Sequence, residues 1–242
     1  MNYKKNIEDV INKDQWIKAV GKGSAAVGLT FESLLGKSPE NFEIPDYHGI
    51  EIKTKYSTCE EYVTLFNATP DSYLFEIKRI VKEYGYPSSD LPEYNVLNVG
   101  VFGNRKTKLP SGYYFKLSID YKTEQVILNV YDNKQRLINN DCKWSFDLLK
   151  EKLERKLSML AFIKAERKWD EFERKVYFKY HDVHFYKLRS FESFINLLEI
   201  GKIKITFKIG IYKHGKKIGK IYDHGTSFSI KDYNLKYLFS DV

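Results

Sequence analysis

Cysteine is nearly absent from the 242 residues: only Cys59 and Cys142 occur. Two are too few for a disulfide framework or a thiolate zinc site. No run of eighteen apolar residues exists, which rules out a membrane-spanning helix. The opening Met1-Asn2-Tyr3-Lys4-Lys5 carries positive charge with no apolar stretch behind it. A secretory signal is therefore not expected, and the expected setting is cytoplasmic with reduced thiols. Internal repeats, low-complexity tracts and Pro/Gly/Ser linkers are also missing, so the two halves of the chain are expected to pack together rather than hang on a tether. With 43% hydrophobic and 30% charged residues, disorder is excluded. The length allows one large domain or two intimate subdomains.

What is abundant is lysine. Lys+Arg number 40 against 32 Asp+Glu, a net charge of +8. Residues 201–242 alone hold nine lysines against Asp223, Asp232 and Asp241, or +6 of that total. Nineteen Tyr and sixteen Phe accompany them. A basic, aromatic surface suits a polyanion, most commonly nucleic acid; a merely solubilising surface is the alternative.

Periodicity supplies the elements. Residues 6–20 read as an amphipathic helix. A second helix is expected from Ser24, a suitable N-cap, with Val27, Phe31 and Leu34 as its stripe and Gly36 as its stop. Strict alternation makes residues 49–56 a strand. Further strands are expected at 95–103, 113–120 and 125–131, with turns near Asn104 and at Pro110-Ser111-Gly112. Leu149, Leu153, Leu157 and Leu160 predict a long helix over 145–168. A strand at Val176–Tyr180, a helix from Ser190 to Ile200 and a hairpin of 202–212 with 217–223 around His214-Gly215 complete the reading. This succession indicates a mixed α/β sheet protein.

The chemistry concentrates in Pro45-Asp46-Tyr47-His48-Gly49-Ile50-Glu51-Ile52-Lys53. On a strand, Glu51 and Lys53 share one face while Ile50 and Ile52 share the other. Asp46 precedes the strand across a turn that Gly49 can accommodate. An acid and a base two residues apart are ordinarily just solvated; the preceding Pro-Asp is what distinguishes this stretch. Two carboxylates can hold Mg²⁺, and the lysine can orient or deprotonate an attacking water and offset charge on a phosphorane-like transition state.

Pro45-Asp46 and Glu51-Ile52-Lys53 resemble the motif of the PD-(D/E)XK nucleases. Together with Gly28-Leu29-Thr30-Phe31-Glu32-Ser33-Leu34-Leu35-Gly36, they are similar to the MutH/MvaI/BcnI branch of that superfamily. Thr64-Leu65-Phe66, the stretch from Lys156 to Lys168 and Asp223-His224-Gly225-Thr226-Ser227-Phe228-Ser229-Ile230 are also similar, the last being nearer to MvaI and BcnI than to MutH. The resemblance implies a restriction-endonuclease-like core with a second, DNA-recognising subdomain, the two forming a cleft around duplex DNA. Residues 1–120 are assigned to the catalytic part and 121–242 to recognition. It further implies a monomeric, Mg²⁺-dependent, sequence-specific type II endonuclease, with Mn²⁺ able to substitute, that leaves 5′-phosphate and 3′-hydroxyl ends. A CCNGG-type site and a cognate methyltransferase in the host, not bound as a subunit, follow from the same likeness. Glu32, Asp46, Glu51 and Lys53 become the catalytic set. Asp46, Glu51 and the Ile52 carbonyl become metal ligands, with Glu32 joining directly or through water.

For DNA contact, Asp223, His224 and Thr226 have groups suited to base edges, His224 foremost. Lys55, Lys213, Lys216, Lys217 and Lys220 suit phosphates. His181 and His184 are not expected to clip a metal, because a spacing of three on a strand sends them to opposite faces. Cys59 is read as packing. A MutH-like strand-nicking repair enzyme and a non-cleaving DNA-binding protein on a nuclease fold remain alternatives.

Overall fold

The computed structural model describes residues 3–36, 45–56, 62–71 and 73–242. In chain order these begin with α1 (Tyr3–Asn12), β1 (Ile17–Lys18), α2 (Ala26–Leu34), β2 (Ile50–Tyr56), β3 (Tyr62–Asn67) and α3 (Tyr73–Tyr84). Next come β4 (Tyr86–Pro87), β5 (Asn95–Val101), β6 (Thr107–Lys108), β7 (Tyr114–Asp120), β8 (Gln125–Tyr131), β9 (Leu137–Asn139) and β10 (Lys143–Ser145). The remainder are α4 (Phe146–Leu157), β11 (Met159–Asp170), β12 (Lys175–Leu188), α5 (Phe191–Glu199), β13 (Ile203–Ile211), β14 (Ile221–Asp223), β15 (Ser227–Lys231), α6 (Leu235–Leu238) and β16 (Phe239–Asp241). The class is mixed α/β, as its alternating patterns indicated.

The chain divides into two compact units, and neither is a continuous half. Unit 1 comprises residues 1–61, 153–189 and 236–242; unit 2 comprises 62–152 and 190–235. The boundary expected at residue 120 does not coincide with these units. It falls in the turn between β7 and β8, which pair antiparallel from Tyr114↔Tyr131 to Asp120↔Gln125 and cannot belong to different bodies.

Unit 1 is built on a sheet ordered β1-β12-β11-β2, with β16 added to β12. β2 is the edge strand and runs parallel to β11 from Ile50↔Met159 to Tyr56↔Ala165. One face buries Ile50, Ile52, Ala161, Ile163 and Phe178 against Ile7 and Ile11 of α1 and Val27 and Phe31 of α2. The helix expected over 145–168 ends at Leu157, and Met159–Asp170 is a strand. The leucine stripe holds only as far as Leu157; Met159-Leu160-Ala161-Phe162-Ile163 then lies between two strands, buried on both faces, and needs no polar alternation. The first helix likewise stops at Asn12, before Trp16 and the short β1. α2 begins at Ala26 after an Ala25 cap without a side-chain bond, so Ser24 does not cap it. Gly36 does terminate it, at φ +76.

Unit 2 contains a sheet ordered β3-β15-β13-β5-β4, with β14 on β13, and a second ordered β10-β8-β7-β6, with β9 on β8. Trp144, Phe115, Phe194, Phe207 and Phe228 are fully buried. Trp144 meets Phe207 and Phe228 at 6.2 and 6.0 Å between ring centroids, and its indole N–H donates to the Ala68 carbonyl at 3.0 Å. α5 starts where expected: the Ser190 hydroxyl accepts from the Ser193 N–H at 3.2 Å. Of the expected strand 217–223, only Ile221–Asp223 pairs with β13, because Gly215–Lys217 winds into a 3₁₀ turn.

Candidate active site

The site lies at the open edge of β2 in unit 1. His48 and Gly49 both adopt positive φ, 47° and 85°, the pair of left-handed conformations a two-residue type I′ turn demands. Gly49 adopts it without steric cost. Tyr47 and Ile50 then exchange both backbone hydrogen bonds at 2.9 Å. This tight reversal lays Asp46 alongside Glu51. α1 pins it: His48 stacks on Tyr3 at 3.9 Å, and Asn6 Nδ2 donates to the Tyr47 hydroxyl at 3.0 Å.

Asp46 Oδ2 accepts the Ile52 N–H at 3.0 Å. Within an extended strand, the N–H and C=O of one residue point to the same side, so the Ile52 carbonyl faces the same open edge as Asp46. Glu51 is 1% exposed, flanked in register by Leu160, with Phe162 beside Lys53. Its Oε1 is shared by two ammonium groups, Lys53 in direct contact and Lys156 at 3.5 Å. Its Oε2 is buried and has no hydrogen-bond partner. The Glu51 carboxyl is held above the ordinary carboxylate range, chiefly by burial; Lys53 opposes this, the like charge of Asp46 adds to it, and Lys156 opposes it.

Glu32 lies on α2, its carboxylate beside Gly28. Gly28 of α2 sits over Thr54, close enough that an added Cβ would lie 3.4 Å from the Thr54 hydroxyl and 3.6 Å from Glu32 Oε1. α2 thus runs closely along β2 with Glu32 one turn further on. Among the described residues, no group of three or more His, Cys, Asp and Glu side chains converges to metal-binding distance. The site brings together Asp46, Glu51 and Lys53, and it adds Lys156, which motif spacing does not identify. The sequence signals for Lys156 are its place at the head of the family-like stretch 156–168 and beside Leu153 and Leu157, buried residues of α4.

Lys55, expected to meet phosphate, is 9% exposed and lies in the sheet beside Lys164. It is therefore not part of the exposed cationic surface. His181 is the extra residue of a β-bulge, since Lys164 pairs with Asp182 and Ala165 with Tyr180. His184 instead faces Asp182 at 3.4 Å. Cys59 lies outside the described residues.

In unit 2, Asp223 Oδ1 accepts the Gly225 N–H at 3.0 Å and shapes the loop. Gly225 has φ +90, with the Asn67 amide 3.1 Å from where a Cβ would stand. His224 is exposed, its ring edge-on to Tyr222 at 4.6 Å. Thr226 is fully buried with an unpartnered hydroxyl, so it does not present itself to a base edge as expected. Lys213, Lys216, Lys217 and Lys220 are exposed. Lys213, however, is paired with Asp90 at 2.7 Å, and Lys217 lies over Tyr212 at 5.3 Å.

A denser cationic group lies on β13 and its neighbours. Lys204 is pushed below the ordinary lysine range by burial and by Lys208, Arg105 and Lys231. Its ammonium rests 3.6 Å from the centre of the Tyr62 ring. Alternation in Ile203–Ile211 could have revealed the pair Lys204 and Lys208, because residues four apart on a strand share a face. A groove of about 560 Å³ beside them is lined by Asn98, Lys208, Tyr222 and His224, among others.

A family model of MvaI/BcnI restriction endonucleases matches residues 5–239. A solved structure described as the restriction endonuclease MvaI–cognate DNA substrate complex is 35% identical and covers 99% of this chain and 95% of that one, with a TM-score of 0.88. MvaI in the absence of DNA is 34% identical over the same shares, with a TM-score of 0.66. Comparison with curated protein sequences finds no match. An Asp46–Glu51–Lys53 edge on this topology, matched over nearly its whole length, places the chain in the MvaI/BcnI restriction endonuclease family.

Proposed function

We propose that the chain is a Mg²⁺-dependent type II site-specific deoxyribonuclease that cuts both strands of duplex DNA and leaves 5′-phosphate and 3′-hydroxyl ends. The observation that carries this reading is the buried Glu51 Oε2, bare of partners, on a carboxylate that already feels the like charge of Asp46. A divalent cation supplies the missing partner. The donor set is all oxygen, as Mg²⁺ prefers: Asp46, Glu51 and the Ile52 carbonyl, with Glu32 approaching from α2. When bound, Mg²⁺ supplies a Lewis acid that polarises the scissile phosphate and makes water more acidic; Mn²⁺ has the same preferences.

The protein's own groups do the rest. The Ile52 N–H fixes Asp46, and the two lysines fix the rotation of the Glu51 carboxylate by occupying Oε1. Lys53, partly exposed, can leave Oε1 for the phosphate, where it orients the attacking water and offsets charge in the transition state. Lys156 then keeps Oε1 paired. Water oxygen bonds to phosphorus and gives up a proton to solvent, the P–O3′ bond breaks with its electron pair left on O3′, and O3′ takes a proton from solvent to become the 3′-hydroxyl.

In this reading unit 1 is catalytic and unit 2 recognises DNA. His224 and the groove beside it meet base edges, while Lys204, Lys208, Lys231 and Arg105, together with Lys216 and Lys220, meet phosphates. The DNA complex of the MvaI relative supports duplex DNA as the substrate. A CCNGG-type site, a monomeric enzyme and a separate protective methyltransferase in the host belong to the same proposal.

The test is a supercoiled, unmethylated plasmid incubated with and without Mg²⁺. Linear DNA resolving into discrete fragments, lost on Asp46→Asn substitution while duplex binding persists, is expected. Persistent nicked circles would favour the MutH-like alternative, and intact or smeared DNA would sink the proposal.

A further inference from the structure

Unit 1 contains a second basic feature, separate from the Asp46–Glu51 edge. Beyond Tyr56, where β2 ends, β11 and β12 continue as a hairpin ribbon to Asp170 and back from Lys175, with β1 paired to β12 at Tyr177 and Phe178. Against this ribbon lies a cavity of about 1470 Å³, with Tyr56 and Phe178 in its floor and Lys22, Arg167, Arg174 and Lys175 around it. All four cations are exposed, and none forms an ion pair with a described residue. Two neighbouring acids are already taken, Glu173 by Lys18 at 2.8 Å and Asp14 by Lys179 at 2.8 Å, while Asp170 lies across the ladder from Lys175. Glu166 is the single acid of the lining. Gathering unpaired like charges around one concavity costs free energy that an anion recovers. Trp169, 45% exposed, adds an aromatic face at the rim.

We propose that this cavity binds backbone phosphates of the duplex outside the recognition sequence. The inference rests on the nuclease reading above and extends the substrate contact beyond the scissile linkage. Along β2, Tyr56 is four residues from Ile52, or about 13 Å at ~3.3 Å per residue, so the cavity stands apart from the scissile linkage. The occupant is a polyanion with regularly spaced charges, which four unpaired cations match better than a single small anion.

The experiment uses the full-length protein and duplexes carrying a CCNGG-type sequence with either two or ten base pairs on each side. Binding is measured in EDTA across a salt series, and cleavage in Mg²⁺. Wild type binds the long duplex more tightly than the short one. The R167A/R174A variant matches wild type on the short duplex, but binds the long one roughly tenfold more weakly, with a log–log salt slope shallower by about 1.8. K22A/K175A, on different elements, behaves likewise. Equal binding of the long duplex by variants and wild type overturns the proposal, as does an equal loss on both duplexes. Failure of wild type to cleave either duplex counts against the nuclease reading instead, because the binding series still decides the cavity.

Discussion

Glu51→Gln offers a decisive perturbation, because the same burial that readies this side chain for a cation makes it a liability without one. The carboxylate is 1% exposed, with one oxygen unpartnered. Even with two ammonium groups on Oε1, its pKa remains raised. The sign follows directly. The folded protein holds the Glu51 proton more tightly than the unfolded chain does, so stability is greatest at low pH and is lost as pH rises through the folded pKa. Each unit of such a rise corresponds to about 1.4 kcal/mol. Glutamine removes the charge, keeps an oxygen for Lys53 and turns a repulsion from Asp46 into an amide that can donate towards it. A gain of about 1–2 kcal/mol in the metal-free protein at pH 7.5 is expected, the size typical of relieving strain at a functional site. At ~2–4 °C per kcal/mol for a chain of this size, the midpoint rises roughly 2–8 °C. Thermal melts in EDTA from pH 4.5 to 8 should show the two proteins converging in acid and diverging towards neutrality. Adding Mg²⁺ at tenfold its dissociation constant should then return about 1.4 kcal/mol to wild type alone. A variant less stable than wild type at pH 7.5, or a gap independent of pH, would refute the argument.

Lys156→Met removes one of the two charges that lower the Glu51 pKa; the acid limb of the cleavage profile should move to higher pH, cutting the rate on that limb about tenfold for each unit it moves, with Lys156→Arg recovering most of it. His224→Ala should reduce cleavage at the preferred site about 10–100-fold while sparing thermal stability, the cost of one lost base contact. Thr226→Val, by contrast, removes a buried hydroxyl that has no partner and should leave both stability and cleavage within a factor of about three, measured in the same assays. Lys204→Ala and Lys231→Ala should each flatten the salt dependence of DNA binding by ~0.9, and Lys213→Ala by less, since Asp90 already neutralises it.

These perturbations separate what local pattern can say from what only tertiary contact decides. Alternation alone put Glu51 and Lys53 on one face of β2, and Gly49 marked the turn that brings Asp46 beside them, while the left-handed His48 that completes it shows only in the structure. α5, β7 and β8 fell where capping, alternation and turn residues placed them, because each is specified within a dozen residues of itself. The failures have a common cause. Residues 158–168 continue a leucine spacing that begins in α4, yet they form the strand between β2 and β12; burial on both faces erases the period that would distinguish strand from helix. The same burial left Lys156, the first residue of a family-like stretch, without a role. Placing it on a continuous helix to residue 168 keeps it far from β2, whereas ending the helix at Leu157 and starting β11 at Met159, in parallel register with Ile50, brings the last turn of α4 over Glu51. The domain boundary failed for a related reason: unit 1 is assembled from three separated segments, and no composition shift marks a body closed by pairing between residues a hundred apart. An active-site reading drawn from a motif is therefore incomplete in a definite direction. It recovers the groups carried by one strand and its turn, and it omits the group supplied by whatever element the parallel crossover delivers onto that strand.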